Sequence, residues 1–351
     1  MACEYCFYTR DSLKREEVNK GKMSLDTLKT TVRRLFEETR DRVDIVFQGG
    51  EPMLAGIDFY RSAMQYIKEY NVNNIPYTVS VQTNATLINE EWCALFAQND
   101  ILIGVSLDGN KAIHSALRRD IKGKDTFNTV LKSIELLKKH SVRFNILTVV
   151  TSQIAKHIES VYNFYRKSSF SRIQFITVVD DTSCSEKWSL SAEEYYTYLN
   201  TLFSLWSRDI LNGEDIYIRD FNAVIDMMLY RVPTTCEMMG VCNMQNVIEA
   251  NGDTYPCDFY TGDEYLCGNI NDMSFRALFD SSVAKGFINN SVNQKNPQCK
   301  GCEVYALCAG GCRRMRDNSG KFKYCNELKR FYLQNAQGFV SVARKIAAGK
   351  R

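Results

Sequence analysis

Apolar and polar positions alternate along residues 25–180 in two rhythms. Short apolar runs indicate buried strands, and apolar spacings of three and four residues indicate amphipathic helices. The predicted strands are Asp44–Gln48, Tyr77–Gln82, Leu102–Leu107, Phe144–Val150 and Ile173–Val178. The predicted helices are Leu25–Arg40, Ile57–Tyr70, Asn89–Asn99, Thr126–His140 and Ile154–Lys167. This alternation predicts an α/β fold built from right-handed βα units around a parallel sheet.

Glycine and polar residues follow three of these strands directly. They form the segments QGGEP (48–52), QTNAT (82–86) and SLDG (106–109). Each segment alone also fits an ordinary turn. Ligands of parallel α/β folds bind beyond the carboxyl ends of the strands, so the three segments together predict one shared site.

The rest of the chain has a different pattern. Two helices, Tyr195–Trp206 and Ile218–Tyr230, are predicted to bridge the first region to a cysteine-rich one. There a hairpin is predicted, with Val247–Glu249 and Thr254–Pro256 as strands and Asn251-Gly252 as the turn. A closing helix is predicted over Glu327–Ile346. We therefore expect a barrel-like region at 1–185, a helical bridge at 186–235, a cysteine-rich domain at 236–326 and a C-terminal helix at 327–351.

Composition narrows the class of protein. The chain has 351 residues, 45% of them hydrophobic and 24% charged, which suffices for a large buried core. Its net charge of +3 is too small for a dedicated binder of nucleic acid or anionic membrane. No apolar stretch is long enough for a membrane span, and the first residues lack the apolar core of a secretion signal. We expect a cytoplasmic protein.

Cysteine usage is the unusual part of the composition. Nine of the thirteen cysteines lie between Cys236 and Cys325, while none of the three histidines lies in that window. An odd count without a secretion signal disfavours a disulfide framework. A metal held there by thiolates alone would be zinc or iron-sulfur.

Cys3 and Cys6 form a CxxC pair near the start of the chain. The pair alone fits a thioredoxin-like redox pair or half of a zinc site equally well. Followed in order by QGGEP, QTNAT, SLDG and IHSALRR (113–119), however, it resembles the radical S-adenosylmethionine superfamily. That resemblance implies a (β/α)6 TIM-like barrel.

In that superfamily three cysteines spaced CxxxCxxC hold a 4Fe-4S cluster whose fourth iron binds S-adenosylmethionine. Cys3 and Cys6 match the second and third ligands. The first ligand would fall two residues before Met1, and the first barrel strand would precede it. The expectation is therefore a partial barrel from an amino-terminally truncated chain or a mis-assigned start, in which the catalytic cluster is incomplete.

The resemblance also implies a set of contacts to S-adenosylmethionine. These are Tyr5 beside the adenine, Gly50 and Glu51 at the methionyl amino group, Ser106 at the ribose, Arg118 at the methionyl carboxylate and Val179 as an apolar backbone contact to the adenine. Arginine suits a carboxylate partner because its bonds are charge-assisted. The alternative for Arg118 is a solvated surface ion pair.

The cysteine-rich region resembles the SPASM domain, which holds two auxiliary 4Fe-4S clusters. By that resemblance Cys236, Cys242, Cys257 and Cys312 hold one cluster, and Cys299, Cys302, Cys308 and Cys325 hold the other. Spacing alone leaves two zinc sites open as the alternative.

Within the superfamily, the fragments CFY, FQGGEP, QTNAT, FNILTVVT, QFI and YPCDFY resemble the anaerobic sulfatase-maturating enzymes. These oxidise a cysteine, or in some cases a serine, of a sulfatase to formylglycine. The resemblance implies Asp258 as the catalytic base, three 4Fe-4S clusters with S-adenosylmethionine, and a reduced flavodoxin or ferredoxin as electron donor. A monomer is expected.

Two other functions stay open at this point. One is another SPASM peptide maturase, such as a thioether-crosslinking enzyme, which the aspartate of CDFY disfavours. The other is an iron-sulfur or zinc protein that binds peptides without radical chemistry.

Overall fold

The structure, a computed structural model, describes residues 1, 3–13, 15–179 and 187–349. Its strands are β1 Val43–Phe47, β2 Tyr77–Thr83, β3 Leu102–Ser106, β4 Phe144–Val150, β5 Arg172–Thr177, β6 Tyr217–Ile218, β7 Val247–Ile248, β8 Asp253–Tyr255 and β9 Gly268–Asn269. Its α-helices are α1 Phe7–Ser12, α2 Leu25–Glu38, α3 Ile57–Tyr70, α4 Glu90–Gln98, α5 Lys111–Leu117, α6 Phe127–Lys139, α7 Ser152–Lys156, α8 Ile158–Lys167, α9 Ala192–Leu211, α10 Arg219–Tyr230, α11 Phe275–Asp280, α12 Ser282–Asn293, α13 Tyr305–Cys308 and α14 Cys325–Gly349.

The first six strands form one parallel sheet in the order β1 to β6. The α/β prediction is confirmed, and the five predicted strands match β1–β5 to within one residue at each end. Because every strand is parallel, all six carboxyl ends face the same edge. The polar segments after β1, β2 and β3 therefore share one side of the sheet.

Three helix predictions need correction. The bridging helix predicted at Tyr195–Trp206 is α9, Ala192–Leu211, and is longer at both ends. The segment predicted as Ile154–Lys167 is two helices, α7 and α8, that meet at His157. The closing helix begins at Cys325 and ends at Gly349, so it is longer than predicted at both ends. The spacing of apolar residues predicts which face of a helix is buried. It does not show a short break in the helix, nor end turns that consist of polar residues.

The outer helices cover the sheet with apolar faces. Helix α2 buries Leu28, Val32 and Phe36, and its N-cap Ser24 accepts the backbone N–H of Thr27. Helix α9 begins with a capping box between Ser191 and Glu194 and packs along α14. Helix α14 contributes its aromatic residues to the same buried cluster as the barrel, so the chain's last helix belongs to the barrel core.

The cysteine-rich module, residues 236–325, is built differently. The predicted hairpin is confirmed, with β7 and β8 antiparallel and Gly252 at φ +94° in the turn. Its own apolar cluster has only four buried members, Cys267, Ile270, Leu278 and Ala284. Within the described part of the chain, no helix combines the length and apolar character that crossing a bilayer requires.

Candidate active site and cluster-binding cysteines

A buried triad links the CxxC loop to the end of β3. The Asp108 carboxylate accepts a 2.8 Å hydrogen bond from Arg118 Nε, a bond from the Tyr5 hydroxyl and a 3.0 Å bond from the Val149 backbone N–H. Arg118 is only 6% exposed, so the alternative of a solvated surface ion pair is wrong. The loop, the SLDG segment and the arginine after helix α5 are thus held together as one unit.

Cys3 and Cys6 lie directly above this triad. The two residues are joined by a 3.1 Å hydrogen bond from the Cys6 N–H to the Cys3 carbonyl. Burial raises the pKa of the Cys3 thiol, and the charge of Arg118 lowers it. The charge of Arg118 therefore favours the thiolate, the form that binds iron.

The QGGEP loop after β1 turns sharply. Gly49 and Gly50 have φ values of +86° and +50°, a region that favours glycine. The Glu51 carboxylate ties this loop to the next strand end, because it accepts bonds from the Thr83 hydroxyl at 2.7 Å and the Asn84 N–H at 2.9 Å. Its side chain is thus occupied by the fold, while the backbone of the loop stays at the sheet edge.

Two further residues predicted to contact S-adenosylmethionine lie at the end of a strand or just after it. Ser106 closes β3, is buried, and its hydroxyl accepts a 3.1 Å hydrogen bond from Gln82 Nε2. Val179 lies two residues beyond β5 and is 7% exposed. Both residues lie at the same sheet edge as the CxxC loop, where the sequence predicts the nucleotide site.

Asp258 belongs to the cysteine-rich module but lies against the barrel mouth. Its carboxylate accepts a hydrogen bond from the Gln48 side chain, which directly follows β1. The ring of Phe259 packs against the ring of Phe7 beside the CxxC loop, with 4.8 Å between the two ring centroids. Burial raises the pKa of Asp258.

Tyr8 fills the space between the two regions. Burial raises its pKa well above the usual value, and the charges of Asp258, Cys6 and Cys257 act on it. Its ring also lies 3.7 Å from the position of a Cβ on Gly49. One tyrosine therefore borders both the CxxC loop and the carboxylate.

The four cysteines predicted to hold the second auxiliary cluster line a single cavity. Its wall contains Cys299, Cys302, Cys308 and Cys325, together with Phe322, Lys321 and Lys329. Burial raises the pKa of Cys308 to about 11, and the charges of Cys325 and Cys299 raise it too. Four converging thiols in one recess fit an all-cysteine cluster.

The other predicted set converges as well. Burial raises the pKa of Cys312 to about 12, and the charges of Cys236 and Cys242 add to the effect. For Cys257, burial is again the main cause of a raised pKa, and the Cys312 charge contributes. The cysteines whose charges act on Cys312 and Cys257 belong to the same predicted set, although the charges of Glu237 and Asp258 have larger effects.

No three cysteine, histidine or acidic side chains of the described residues are grouped tightly enough to hold a single metal ion. A tetrahedral zinc site needs all its sulfurs about 2.3 Å from one centre. A four-iron cube spreads its thiolates more widely. Zinc and a four-iron cluster therefore differ in the spacing of the sulfurs that hold them.

Sequence reasoning missed two residues of this site. Asp108 stands inside the SLDG segment and Gln48 opens QGGEP, yet neither was assigned a role. Polar residues directly after buried strands were the signal available for both. Cys93, which belongs to neither predicted ligand set, is fully buried, and Cys184 lies outside the described residues.

Comparison with known families agrees with this geometry. The model of the Radical SAM superfamily matches residues 1–165, and that of the SPASM iron-sulfur cluster-binding domain matches residues 236–303. A cysteine-type anaerobic sulfatase-maturating enzyme of Clostridium novyi is 41% identical, over 99% of this chain and 95% of its own length. The serine-type enzyme of Klebsiella aerogenes is 29% identical, over 95% of this chain and 81% of its own length.

Solved structures show similarity to the same family. The structure of native anSMEcpe with bound AdoMet and Cp18Cys peptide has a TM-score of 0.92 and 37% identity, covering 98% of this chain and 95% of that one. Streptococcus suis SuiB bound to precursor peptide SuiA, at 19% identity and a TM-score of 0.61, covers 92% of this chain and 71% of its own and shares the fold alone. The fold, the paired cysteine sets and these similarities together show that the chain belongs to the anaerobic sulfatase-maturating enzymes, a SPASM-containing family of the radical S-adenosylmethionine superfamily.

Proposed function

We propose that this protein oxidises a cysteine side chain of a sulfatase-type protein to formylglycine. The observation that carries the proposal is the position of Asp258, a carboxylate that the cysteine-rich module presents to the CxxC loop across Tyr8. The relatives at 41% and 37% identity are cysteine-type, which supports cysteine rather than serine as the target.

Ten cysteines are proposed as cluster ligands. Cys3 and Cys6 would supply two thiolates to the radical-generating cluster. One auxiliary cluster would be held by Cys236, Cys242, Cys257 and Cys312, and the other by Cys299, Cys302, Cys308 and Cys325. The donor set, four thiolates in each auxiliary site, matches the chemistry of 4Fe-4S clusters.

S-adenosylmethionine is proposed to bind along the strand ends. Gly50 and Glu51 would contact its amino group through the turn after β1, Ser106 its ribose, and Tyr5 and Val179 its adenine. Arg118 binds Asp108 through Nε and Nη2, and among the described residues its Nη1 has no partner. That nitrogen is therefore positioned by Asp108 to meet the methionyl carboxylate.

The cofactors held by these residues would supply the radical chemistry that removes one hydrogen atom from the substrate Cβ, and the two sets of four module cysteines would hold the clusters that take up the remaining electron. Asp258 takes the thiol proton, so that loss of one hydrogen atom, one proton and one electron leaves a C=S bond. Water then replaces sulfur by oxygen and releases hydrogen sulfide. Tyr8 and Phe7 keep this space closed between the barrel and the module.

The remaining partners are also proposals. A reduced flavodoxin or ferredoxin would supply electrons, and the protein would act as a monomer. Because the clusters must be kept reduced, a reducing compartment is needed, and the cytoplasm is proposed as the place of the reaction.

Replacement of the base tests this function. The protein is reconstituted anaerobically with iron and sulfide and given a peptide bearing Cys-x-Pro-x-Arg. We expect about twelve irons per chain, and formylglycine formation in the unmodified enzyme. Asp258→Asn should reduce formylglycine formation by about 10²–10⁴-fold, because the thiol proton loses its acceptor, while cleavage of S-adenosylmethionine continues.

Asp272→Asn is the matched control, since Asp272 is an exposed carboxylate of the same module. It should retain the unmodified rate. If Asp258→Asn forms formylglycine at the unmodified rate, Asp258 is not the base. If the protein binds zinc in place of iron, the proposed enzymatic function is wrong.

A further inference from the structure

A fully buried histidine lies beside the Asp108 triad and has no role in the proposed reaction. His114 belongs to helix α5, and its Nδ1 accepts a 3.3 Å hydrogen bond from the Asp108 backbone N–H. Its Nε2 lies 3.1 Å from the Thr126 hydroxyl. Because Nδ1 accepts, the proton of the neutral ring is on Nε2, which therefore donates to Thr126. Burial lowers the pKa of His114 to about 4, so the ring is uncharged in the neutral pH range.

Thr126 connects this histidine to the arginine of the triad. Its hydroxyl donates a 3.2 Å hydrogen bond to the Arg118 carbonyl oxygen, and Arg118 Nε donates to the Asp108 carboxylate at 2.8 Å. The residues Asp108, His114, Thr126 and Arg118 thus form a closed ring of hydrogen bonds, and each of them is at most 6% exposed. Loss of one bond in this ring leaves a buried polar group without its partner, which is costly.

The Thr126 hydroxyl is not used to stabilise a helix. Thr126 is the N-cap residue of α6, where a threonine usually accepts a bond from an N–H of the first turn. Its side chain makes no such capping bond to any described residue. The Asp125 carboxylate accepts the Phe127 N–H at 2.9 Å instead. The threonine hydroxyl therefore serves the ring, and a change there leaves the helix cap in place.

The Asp108 side of the ring is fixed by the barrel. The Tyr165 hydroxyl accepts a 2.7 Å bond from the Gly109 N–H and donates a 2.7 Å bond to the Leu107 carbonyl oxygen. These bonds hold the backbone on both sides of Asp108. The ring therefore fixes the backbone of Arg118 against a rigid turn, in addition to the bond that its side chain makes.

We propose that His114 and Thr126 are positioning residues for S-adenosylmethionine, because through the ring they hold Arg118 where its Nη1 meets the methionyl carboxylate. The inference rests on the proposed function, which assigns that contact to Arg118. Asp108 orients the guanidinium, and the ring fixes the main chain from which the guanidinium extends. Breaking the ring should therefore weaken a ligand that carries the carboxylate and spare a ligand that lacks it.

Equilibrium binding tests this role apart from catalysis. The reconstituted protein, with its clusters oxidised so that no ligand is cleaved, is dialysed anaerobically against S-adenosylmethionine and against its decarboxylated analogue. The unmodified protein should prefer the ligand with the carboxylate. Thr126→Val should weaken S-adenosylmethionine by about two- to tenfold, the effect of one hydrogen bond, and leave the analogue unchanged. Thr126→Ser keeps the hydroxyl and should restore the unmodified preference.

Three further variants define the comparison. His114→Phe removes both ring nitrogens and should reduce the preference at least as much as Thr126→Val. Arg118→Met removes the proposed contact itself and should reduce it most. Thr27→Val is the matched control, because Thr27 is a buried threonine of α2 whose hydroxyl accepts a 3.1 Å bond from Ser24. It should keep the full preference. The preference is a ratio measured on one protein, so a smaller folded fraction lowers both affinities alike.

The positioning role is overturned if Thr126→Val and His114→Phe keep the preference that Arg118→Met loses, or if Thr126→Val weakens both ligands equally. If Arg118→Met itself keeps the unmodified preference, the proposed contact is wrong and the positioning role is wrong with it. Failure of the proposed oxidation gives a different result. In that case the cysteine peptide yields no formylglycine, while the preference for the carboxylate persists and depends on Thr126.

Discussion

The barrel and the cysteine-rich module hold themselves together by different means. The barrel shares one large apolar cluster with α9, α10 and α14, in which Phe36, Tyr60, Phe96 and Trp206 are fully buried. The module has a separate cluster of four buried residues and three very short strands. Ten cysteines are proposed as ligands, and eight of them lie in the module.

The two regions are therefore expected to be stabilised by different interactions. Each large apolar side chain that is buried contributes about 1.5–3 kcal/mol, so the barrel's core can stabilise it alone. A module with so small a core depends on bonds between its thiolates and metal, as small metal-binding domains do. The region that carries the proposed base is thus the region whose fold depends on its cofactors.

The largest predicted effect comes from removing an auxiliary ligand. Cys312→Ala should lower the iron content by about four per chain and make residues 236–325 sensitive to limited proteolysis, because one cluster and its constraint are lost. The barrel should keep its cooperative unfolding transition by circular dichroism. Cys267→Ala, a module cysteine outside both ligand sets, should leave iron content unchanged; equal iron in both variants would contradict the ligand assignment.

The next effect lies inside the barrel. Asp108→Ala should lower the free energy of unfolding by about 3–5 kcal/mol, since Arg118 is left buried without its counter-charge. Urea denaturation measures the change. Asp100→Ala breaks the exposed pair with Arg143 and should cost no more than about 1 kcal/mol, so similar losses in the two variants would disprove the special role of the Asp108 triad.

A smaller effect is expected at the start of α9. Ser191→Ala removes half of a capping box and should lower the free energy of unfolding by about 1 kcal/mol. The iron content should stay the same, because α9 belongs to the barrel. A loss of iron on this change would mean that the two regions are not stabilised independently.

The two regions also differ in how far the sequence predicts them. Strands β1–β5 were predictable because buried parallel strands are continuous apolar runs separated by amphipathic helices. Strand β6 has two residues and β7 two, too few for any periodicity, so only the Asn251-Gly252 turn indicated a hairpin. The break at His157 likewise leaves the apolar spacing nearly intact.

In the site, residues that are recognised by their spacing along the chain could be predicted from the sequence. Residues that gain a role only when distant parts of the chain come together could not. The cysteine sets follow from family spacing, and their neighbours in space agree with them. Asp108 gains its role only when Tyr5 and Arg118 converge on it from distant positions.

Deuterium transfer tests the central claim most directly. The reconstituted enzyme is incubated with S-adenosylmethionine and a Cys-x-Pro-x-Arg peptide deuterated at the cysteine Cβ, and both products are analysed by mass spectrometry. The account predicts deuterium in 5′-deoxyadenosine and formylglycine in place of cysteine, with sulfur released. Deuterium-free 5′-deoxyadenosine with an intact cysteine, or a thioether that keeps the sulfur, would contradict it.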